Sequence, residues 1–292
     1  MARYPLPPLA IVVWVQTTSN LRPSLWDDVV LAPGQRALNI AMNDEAIHLS
    51  VVIPAFEEVA GLGGALGEVR CYLESCPFSS EVLVVVDGGT DGTLGMVRDL
   101  AGAWPSLVVL DNEVNRGKGY SVQRGMLTAR GRYRLFSDAD LSTPISEADR
   151  LMAAIDAGGD MAIGSRTMPD SDVRVRQVWW RESMGRMFNQ IVRRMAVSDV
   201  LDTQCGFKCF RHDVAERIFA RQRMTRFSFD VELLWIARKL GYRVVEVPVT
   251  WVNDPISRVH PVSDSLRMLV DLVRLRLYDW RGAYQNEDGA IS

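Results

Sequence analysis

Over roughly the first 45 residues the apolar positions follow no sustained period, and an extension with little fixed structure is expected there, with Met42 as an alternative start. From Leu49 the pattern turns regular. LSVVIP (Leu49 to Pro54) is a short β-branched run closed by a proline, as suits a buried parallel strand. A helical stretch to about Glu74 follows, then the strand EVLVVV (Glu81 to Val86), the turn-rich DGGTDGT, a helix to about Gly102 and the strand SLVVLD (Ser106 to Asp111). A helix from about Lys118 to Ala129, the strand RYRLFS (Arg132 to Ser137), a helix near Ser146 to Ala157 and the strand DMAIGS (Asp160 to Ser165) continue the alternation. This order predicts an α/β fold with a mostly parallel central sheet and helices on both faces.

Beyond Arg166 the order changes. A loop to about Gln177 leads to a helix with Met187, Phe188, Ile191, Val192 and Met195 on its apolar side; QCGFKCF (Gln204 to Phe210) reads as a strand and FDVELLWIARKL (Phe229 to Leu240) as a helix. RVVEVPVTW (Arg243 to Trp251) predicts a last strand, with Pro248 favouring an edge or a strand end. In Ser263 to Trp280, Leu266, Leu269, Val270, Val273, Leu277 and Trp280 recur at helical spacing, with Arg267, Asp271 and Arg274 on another face. That pattern suits a helix packed on the domain or an interfacial helix on a membrane, and the acids Asp264, Asp271 and Asp279 tip it towards packing. The stretch Arg186 to Val197, with Arg193 and Arg194, is a second candidate for a membrane-facing helix. The expected organisation is an extension over 1–45, an α/β domain over 46–252, and a C-terminal amphipathic helix and tail over 253–292.

The bulk numbers change this picture little. Of 292 residues, 48% are apolar and 24% charged, as in ordinary globular proteins, and a net charge of -3 gives no case for nucleic-acid binding. Arginines nonetheless crowd the chain from Arg166 to Arg226, which suggests a site for phosphates or simply a solvated helix face. Cys71, Cys76, Cys205 and Cys209 lack zinc-knuckle spacing and read as reduced thiols of a cytoplasmic protein. His48, His212 and His260 are too scattered for a histidine metal site. No apolar run approaches the roughly 20 residues that span a bilayer, and LAIVVWV (Leu9 to Val15) is too short for a span and poorly flanked for a signal peptide.

The candidate chemistry starts from LFSDADLSTP (Leu135 to Pro144). Two aspartates one residue apart at the end of an apolar strand aim both carboxylates into the same space, and such a pair needs a cation or a proton. Asp138 and Asp140 could grip magnesium or manganese, which in turn holds a diphosphate. Alternatively Asp140, Ser142 and Thr143 only cap the next helix, with Pro144 at its first position. Asp87, where the second strand meets its turn, could accept a hydrogen bond from a base or be a plain turn aspartate. Ligands of such sheets bind beyond the carboxyl ends of the strands, where these aspartates lie.

Seven stretches in order, VVIPAFEE (Val51 to Glu58), VVVDGGTDGT (Val84 to Thr93), NRGKGYSVQRGMLTARG (Asn115 to Gly131), LFSDADLSTP, AIGSR (Ala162 to Arg166), DTQCGFK (Asp202 to Lys208) and FDVELL (Phe229 to Leu234), resemble family 2 glycosyltransferases of GT-A fold. Within that family they look most like the dolichyl-phosphate β-glucosyltransferases and their prokaryotic relatives. The resemblance implies that Pro54, Phe56 and Glu58 line the nucleotide pocket, Asp87 meets the base and Lys118 sits near the nucleotide. It further implies that Asp138 and Asp140 hold ribose and the metal-bound diphosphate, with Arg166 and Arg181 on the acceptor phosphate, and Gln204, Asp230 and Glu232 facing the sugar or reacting centre. Two departures stand out: Val86 replaces the first aspartate of the usual pair before the turn, and Glu57 replaces an asparagine. The eukaryotic relatives carry an N-terminal membrane anchor, which is not expected here.

The activity so implied is inverting transfer of a hexose, expected to be glucose from UDP-glucose, to a polyprenyl phosphate, with magnesium or manganese as cofactor, at or near the cytoplasmic membrane face. Mannose from GDP-mannose is the nearest alternative. A hydroxyl acceptor would require a base, for which Asp230 and Glu232 are the candidates. A binding-only protein is a third reading. A fourth, a dinucleotide fingerprint in GLGGALG (Gly61 to Gly67), leaves the aspartate pair unexplained.

Overall fold

The structure, a computed structural model, describes residues 47–173, 199–252 and 261–285, with 190, 192, 194, 196 and 197 between them. The expected N-terminal extension, Arg181 and most of the helix expected from Met187 to Met195 lie outside the described residues.

Strand β1 (Leu49–Ala55), buried throughout, pairs in parallel with β2 (Ser80–Val86) on one side and β4 (Tyr133–Ser137) on the other. Beyond β2 lies β3 (Leu107–Asp111), also parallel. The connections are helices α1 (Leu62–Ser75), α2 (Thr93–Ala103) and α3 (Lys118–Thr128). On α1, Leu62, Leu66, Val69 and Leu73 form the stripe that faces the core. GLGGALG thus begins at the cap and fills the first turns of this helix, with no place as a phosphate loop.

After β4 come a short 3-10 turn at Ile145–Glu147, α4 (Ala148–Asp156) and β5 (Met161–Ser165), followed by the two-residue strand β6 (Asp172–Val173). The chain then returns as β7 (Phe207–Arg211), which wedges between β4 and β5 antiparallel to both. β8 (Val244–Pro248) closes the seven-stranded sheet in the order β3-β2-β1-β4-β7-β5-β8, so Pro248 ends an edge strand as its missing N–H requires. The expected last strand is broken there, and β9 (Thr250–Trp251) pairs instead with β6.

Helix α5 (His212–Phe219) follows β7 without a linking residue and buries Val214, Ala215, Ile218 and Phe219. Its eight residues carry no turn signal ahead of them, and the sequence pattern does not reveal it. α6 (Phe229–Lys239) matches its expected span, and α7 (Pro261–Trp280) covers the C-terminal pattern. α7 packs, but with Met268, Leu272 and Leu275 inward; Val270, Val273, Leu277 and Trp280, which the periodicity grouped as its apolar side, are exposed.

From β1 the chain steps outward through β2 to β3 and then crosses back to β4 on the other side of β1, so a crevice opens beyond the carboxyl ends of β1, β2 and β4, where such sheets bind ligands.

Candidate active site

A cavity of about 530 Å³ occupies that crevice. Pro54 and Phe56 reach it from the end of β1, Asp87 from β2, Lys118 from the start of α3, Asp138 and Asp140 from the loop after β4, and Arg166 from the end of β5. Glu58 and Gln204 also line it. Nine residues placed here on sequence grounds are therefore brought together, from segments far apart in the chain.

Asp87 is buried, and its carboxylate accepts hydrogen bonds from Asn112 Nδ2 (2.8 Å), Arg116 N (2.9 Å) and Gly117 N (2.8 Å). Three of a carboxylate's roughly four acceptor sites are thus taken by the 112–117 loop, so its first task is to hold that loop in place. Asn112 in turn donates to Ser121 Oγ and accepts from Arg124 Nη1. With Val86 beside it in place of an aspartate, Asp87 takes its support from the 112–117 loop. Gly117 has φ of +100°, and a Cβ there would overlap the carbonyl oxygen of Thr225, so only glycine lets α3 start this close to the 223–226 segment.

β4 ends at Ser137, one residue short of the aspartate pair. The pleat therefore does not align the two carboxylates; a turn does, closed by Leu141 N to Asp138 O (3.2 Å) with Leu141 at φ +45°. Asp140 Oδ1 accepts from Ser142 N (3.0 Å), a local Asx turn, whereas the next helical turn starts after Pro144 with no side-chain cap. Asp138 lies over Gly206, where any Cβ would collide with its carboxylate. Lys118 Nζ pairs with Asp138 Oδ1 at 2.5 Å. Burial works against the Lys118 cation, but the charges of Asp138 and Asp230 outweigh it and hold the amine above its ordinary value. Burial raises the Asp140 carboxyl, and the charge of Asp138 raises it further.

Arg166 is gripped by Asp202 through Nε (2.7 Å) and Nη2 (2.8 Å), while its backbone N–H donates to the same carboxylate (3.0 Å). Its guanidinium also lies 5.5 Å from the centroid of the Trp251 ring. Burial alone would raise Asp202, yet the charge and hydrogen bonds of Arg166 hold it below the ordinary aspartate value. Sequence reasoning missed Asp202 as a partner, although DTQCGFK contains it, because 36 residues separate it from Arg166.

The two acidic residues of FDVELL go elsewhere. Asp230 is buried and paired with the fully buried Lys208, whose amine also donates to Cys205 O at 2.5 Å. Burial raises the Asp230 carboxyl, with Lys208 and Lys118 opposing. Glu232 is fully buried and accepts from Arg223 N, Met224 N (2.8 Å) and Tyr284 Oη (2.6 Å). Neither is among the residues lining the cavity, where the expectation that they face the reacting centre would place them. Arg226, Phe227 and Trp251 line the cavity without having been expected to.

Among the described residues no cluster of three or more His, Cys, Asp or Glu could enclose a metal. What the cleft offers is a carboxylate pair, all hard oxygen, in a pocket whose burial and like charge favour added positive charge. That donor set fits magnesium or manganese completed by waters and substrate phosphates.

The sequence model described as Glycosyl transferase family 2 matches residues 50–219. A dolichyl-phosphate β-glucosyltransferase of Dictyostelium discoideum is 36% identical over 243 residues, covering 79% of this chain and 74% of the relative. The protein of that name from Drosophila melanogaster is 36% identical over 81% of this chain and 78% of its own, and that from Homo sapiens 32% over 82% and 78%. Among solved structures, mannosyl-3-phosphoglycerate synthase from Rubrobacter xylanophilus superposes with a TM-score of 0.57 at 19% identity, over 87% of this chain and 79% of that one. Glucosyl-3-phosphoglycerate synthase from Mycobacterium tuberculosis, solved with Mn2+, UDP and glucosyl-3-phosphoglycerate, gives 0.57 at 18%, over 85% of each. The fold is that of the GT-A glycosyltransferases. With the family match spanning more than half its length, the chain belongs to glycosyl transferase family 2.

Proposed function

We propose that this glycosyltransferase moves glucose from UDP-glucose, with inversion, onto the phosphate of a dolichyl- or polyprenyl-type lipid, using magnesium or manganese held by Asp138 and Asp140. The observation that carries the reading is one cavity containing Asp138, Asp140, Lys118 and Arg166, in a chain whose relatives bear the name dolichyl-phosphate β-glucosyltransferase.

A cation on the aspartate pair supplies Lewis-acid stabilisation of the leaving diphosphate. Lys118, kept charged by Asp138, adds a fixed positive charge beside it. Asp202 uses two of the five guanidinium donors of Arg166, which leaves donors for an acceptor phosphate, and a bidentate clamp fixes their direction. A phosphate monoester with a second pKa near ~6 is already anionic at neutral pH and attacks without a general base. This favours phosphate over hydroxyl acceptors, because Asp230 is committed to Lys208 and Glu232 to the 223–224 backbone.

The test is nucleoside-diphosphate release from UDP-glucose and GDP-mannose in parallel, with magnesium or manganese, with and without a polyprenyl phosphate. Lipid-dependent release from UDP-glucose that stops with a chelator and in Asp138→Ala is expected. Release that ignores the lipid would overturn the acceptor, faster turnover of GDP-mannose the donor, and full activity in chelator the metal.

A further inference from the structure

The backbone of the 223–226 segment is clamped from three sides, and it holds one charged side chain, Arg226, at the donor cleft. Glu232 accepts from Arg223 N and Met224 N, Gln222 Nε2 donates to Met224 O (2.8 Å), and Thr225 O accepts from Tyr120 N (3.1 Å) in the first turn of α3. Phe229 N donates to Arg226 O (3.2 Å) and ties the segment to the start of α6. A Cβ at Gly117 would come within 3.3 Å of Arg226 Cγ, so the stem of Arg226 lies along the turn that opens α3, beside Lys118. Arg226 lines the cleft together with Gly117, Lys118 and Asp138.

The other cations of the cleft are committed. Lys118 is paired with Asp138, and Arg166 with Asp202. Arg226 is exposed, and among the described residues its guanidinium meets no carboxylate and makes no hydrogen bond. All five of its N–H donors remain for a ligand. An arginine with unspent donors on a backbone fixed in advance suits an anion that forms during a reaction, because the donors are in place before the charge develops.

We propose that Arg226 is a catalytic residue that binds the leaving diphosphate of the nucleotide-sugar donor and stabilises the charge that builds on its outer phosphate. This role rests on the transfer proposed above and adds to it a cation that no protein carboxylate shares. During transfer an oxygen of the acceptor phosphate forms a bond to the anomeric carbon as the bond from that carbon to the diphosphate oxygen breaks. The electron pair of the broken bond stays on the diphosphate oxygen, and no proton moves. Negative charge on the outer phosphate therefore rises towards the transition state, where a guanidinium meeting two of its oxygens gains most. Lysine, a single point charge, would replace it only in part.

The test compares nucleotides with and without the outer phosphate. Because the side chain is exposed, Arg226→Gln should match the parent in circular dichroism and Tm. Calorimetry with UDP, UMP, GDP and GMP in magnesium is expected to show the Kd for UDP raised about tenfold in Arg226→Gln and that for UMP unchanged. The kcat for nucleoside-diphosphate release should fall about a hundredfold, with part of it recovered in Arg226→Lys. Arg223→Gln is the control: its side chain lines a neighbouring cavity and not the cleft, and it should bind UDP as the parent does. Should GDP bind in place of UDP, the donor proposed above falls, while a tenfold loss for GDP without loss for GMP upholds Arg226. A parent that binds none of the four overturns both readings. Unchanged affinity for the diphosphate in Arg226→Gln, or an equal loss for diphosphate and monophosphate, overturns the role of Arg226 alone.

Discussion

Lys118 Nζ, at the start of α3, lies 2.5 Å from Asp138 Oδ1, in the loop beyond β4. The pair joins the helix N-terminus to the sheet across the mouth of the cleft. Its side chains are 23% and 36% exposed, so it stands between a surface pair, worth at most about 1 kcal/mol, and a buried one, whose disruption costs about 3–5 kcal/mol. Lys118→Met is expected to destabilise by about 2 kcal/mol, read from urea unfolding. Because the folded amine is raised above its ordinary value of 10.5, this contribution is fully present below that pH. It fades only as pH climbs through the higher folded value. The difference between parent and variant should therefore be flat from neutral pH to about 10.

Arg166 depends on Asp202 both for its direction and for an equal buried countercharge. Asp202→Asn keeps the shape but leaves the guanidinium half-matched, and a loss of about 3 kcal/mol is expected, at the low end for a broken buried pair because Arg166 is 31% exposed. If Arg166 meets the acceptor phosphate, KM for a polyprenyl phosphate should rise at least tenfold while donor KM changes little. The pH dependence has a definite sign. With the folded Asp202 value below the ordinary 3.8, the stabilisation is present above that pH and lost as pH falls through the folded value. Unfolding curves of parent and variant should converge only below about pH 3.8.

Glu57 sits at φ +53°, in the left-handed region, directly after the cleft residue Phe56. A side chain other than glycine or asparagine costs roughly 1–2 kcal/mol there, and this gives a physical reason for the asparagine that the resemblance leads one to expect. Glu57→Asn is expected to raise stability by up to about 1 kcal/mol with little change in turnover. Thermal unfolding beside the initial rate checks both. A fall in Tm would show that the glutamate has interactions worth more than the backbone strain.

The strands and the cleft were legible for one reason: the apolar runs of β1, β2 and β4 give way abruptly to polar residues at Glu57, Asp87 and Ser137, and parallel strands put those ends on one side. The direction of β7 was not legible, since QCGFKCF reads the same in either orientation and only its pairing with β4 and β5 decides. The partners of the charged groups were hidden for a related cause. Asp202 meets Arg166, and Lys208 meets Asp230, through the sheet and not through local spacing. On α7 the periodicity found a real apolar stripe but not which of two stripes the domain covers, because both recur at helical spacing.

Glu232 offers the sharpest separation of a structural from a chemical role. Its carboxylate collects Arg223 N, Met224 N and Tyr284 Oη, tying the 223–226 segment to the end of the C-terminal region. Burial raises this carboxyl above its ordinary value, and the hydrogen bonds from Tyr284, Met224 and Arg223 oppose that rise. Its charge is thus a net cost of folding at neutral pH, which eases as pH falls through the raised folded value. A neutral glutamine retains an oxygen for the two backbone N–H groups, so Glu232→Gln should cost no more than about 1–2 kcal/mol, whereas Glu232→Ala leaves buried donors without partners and should cost more. A general base would lose about 10²–10⁴-fold in rate with the same glutamine. The expected kcat of Glu232→Gln lies within a few-fold of the parent. A hundredfold loss in a variant of unchanged stability would return Glu232 to the chemistry.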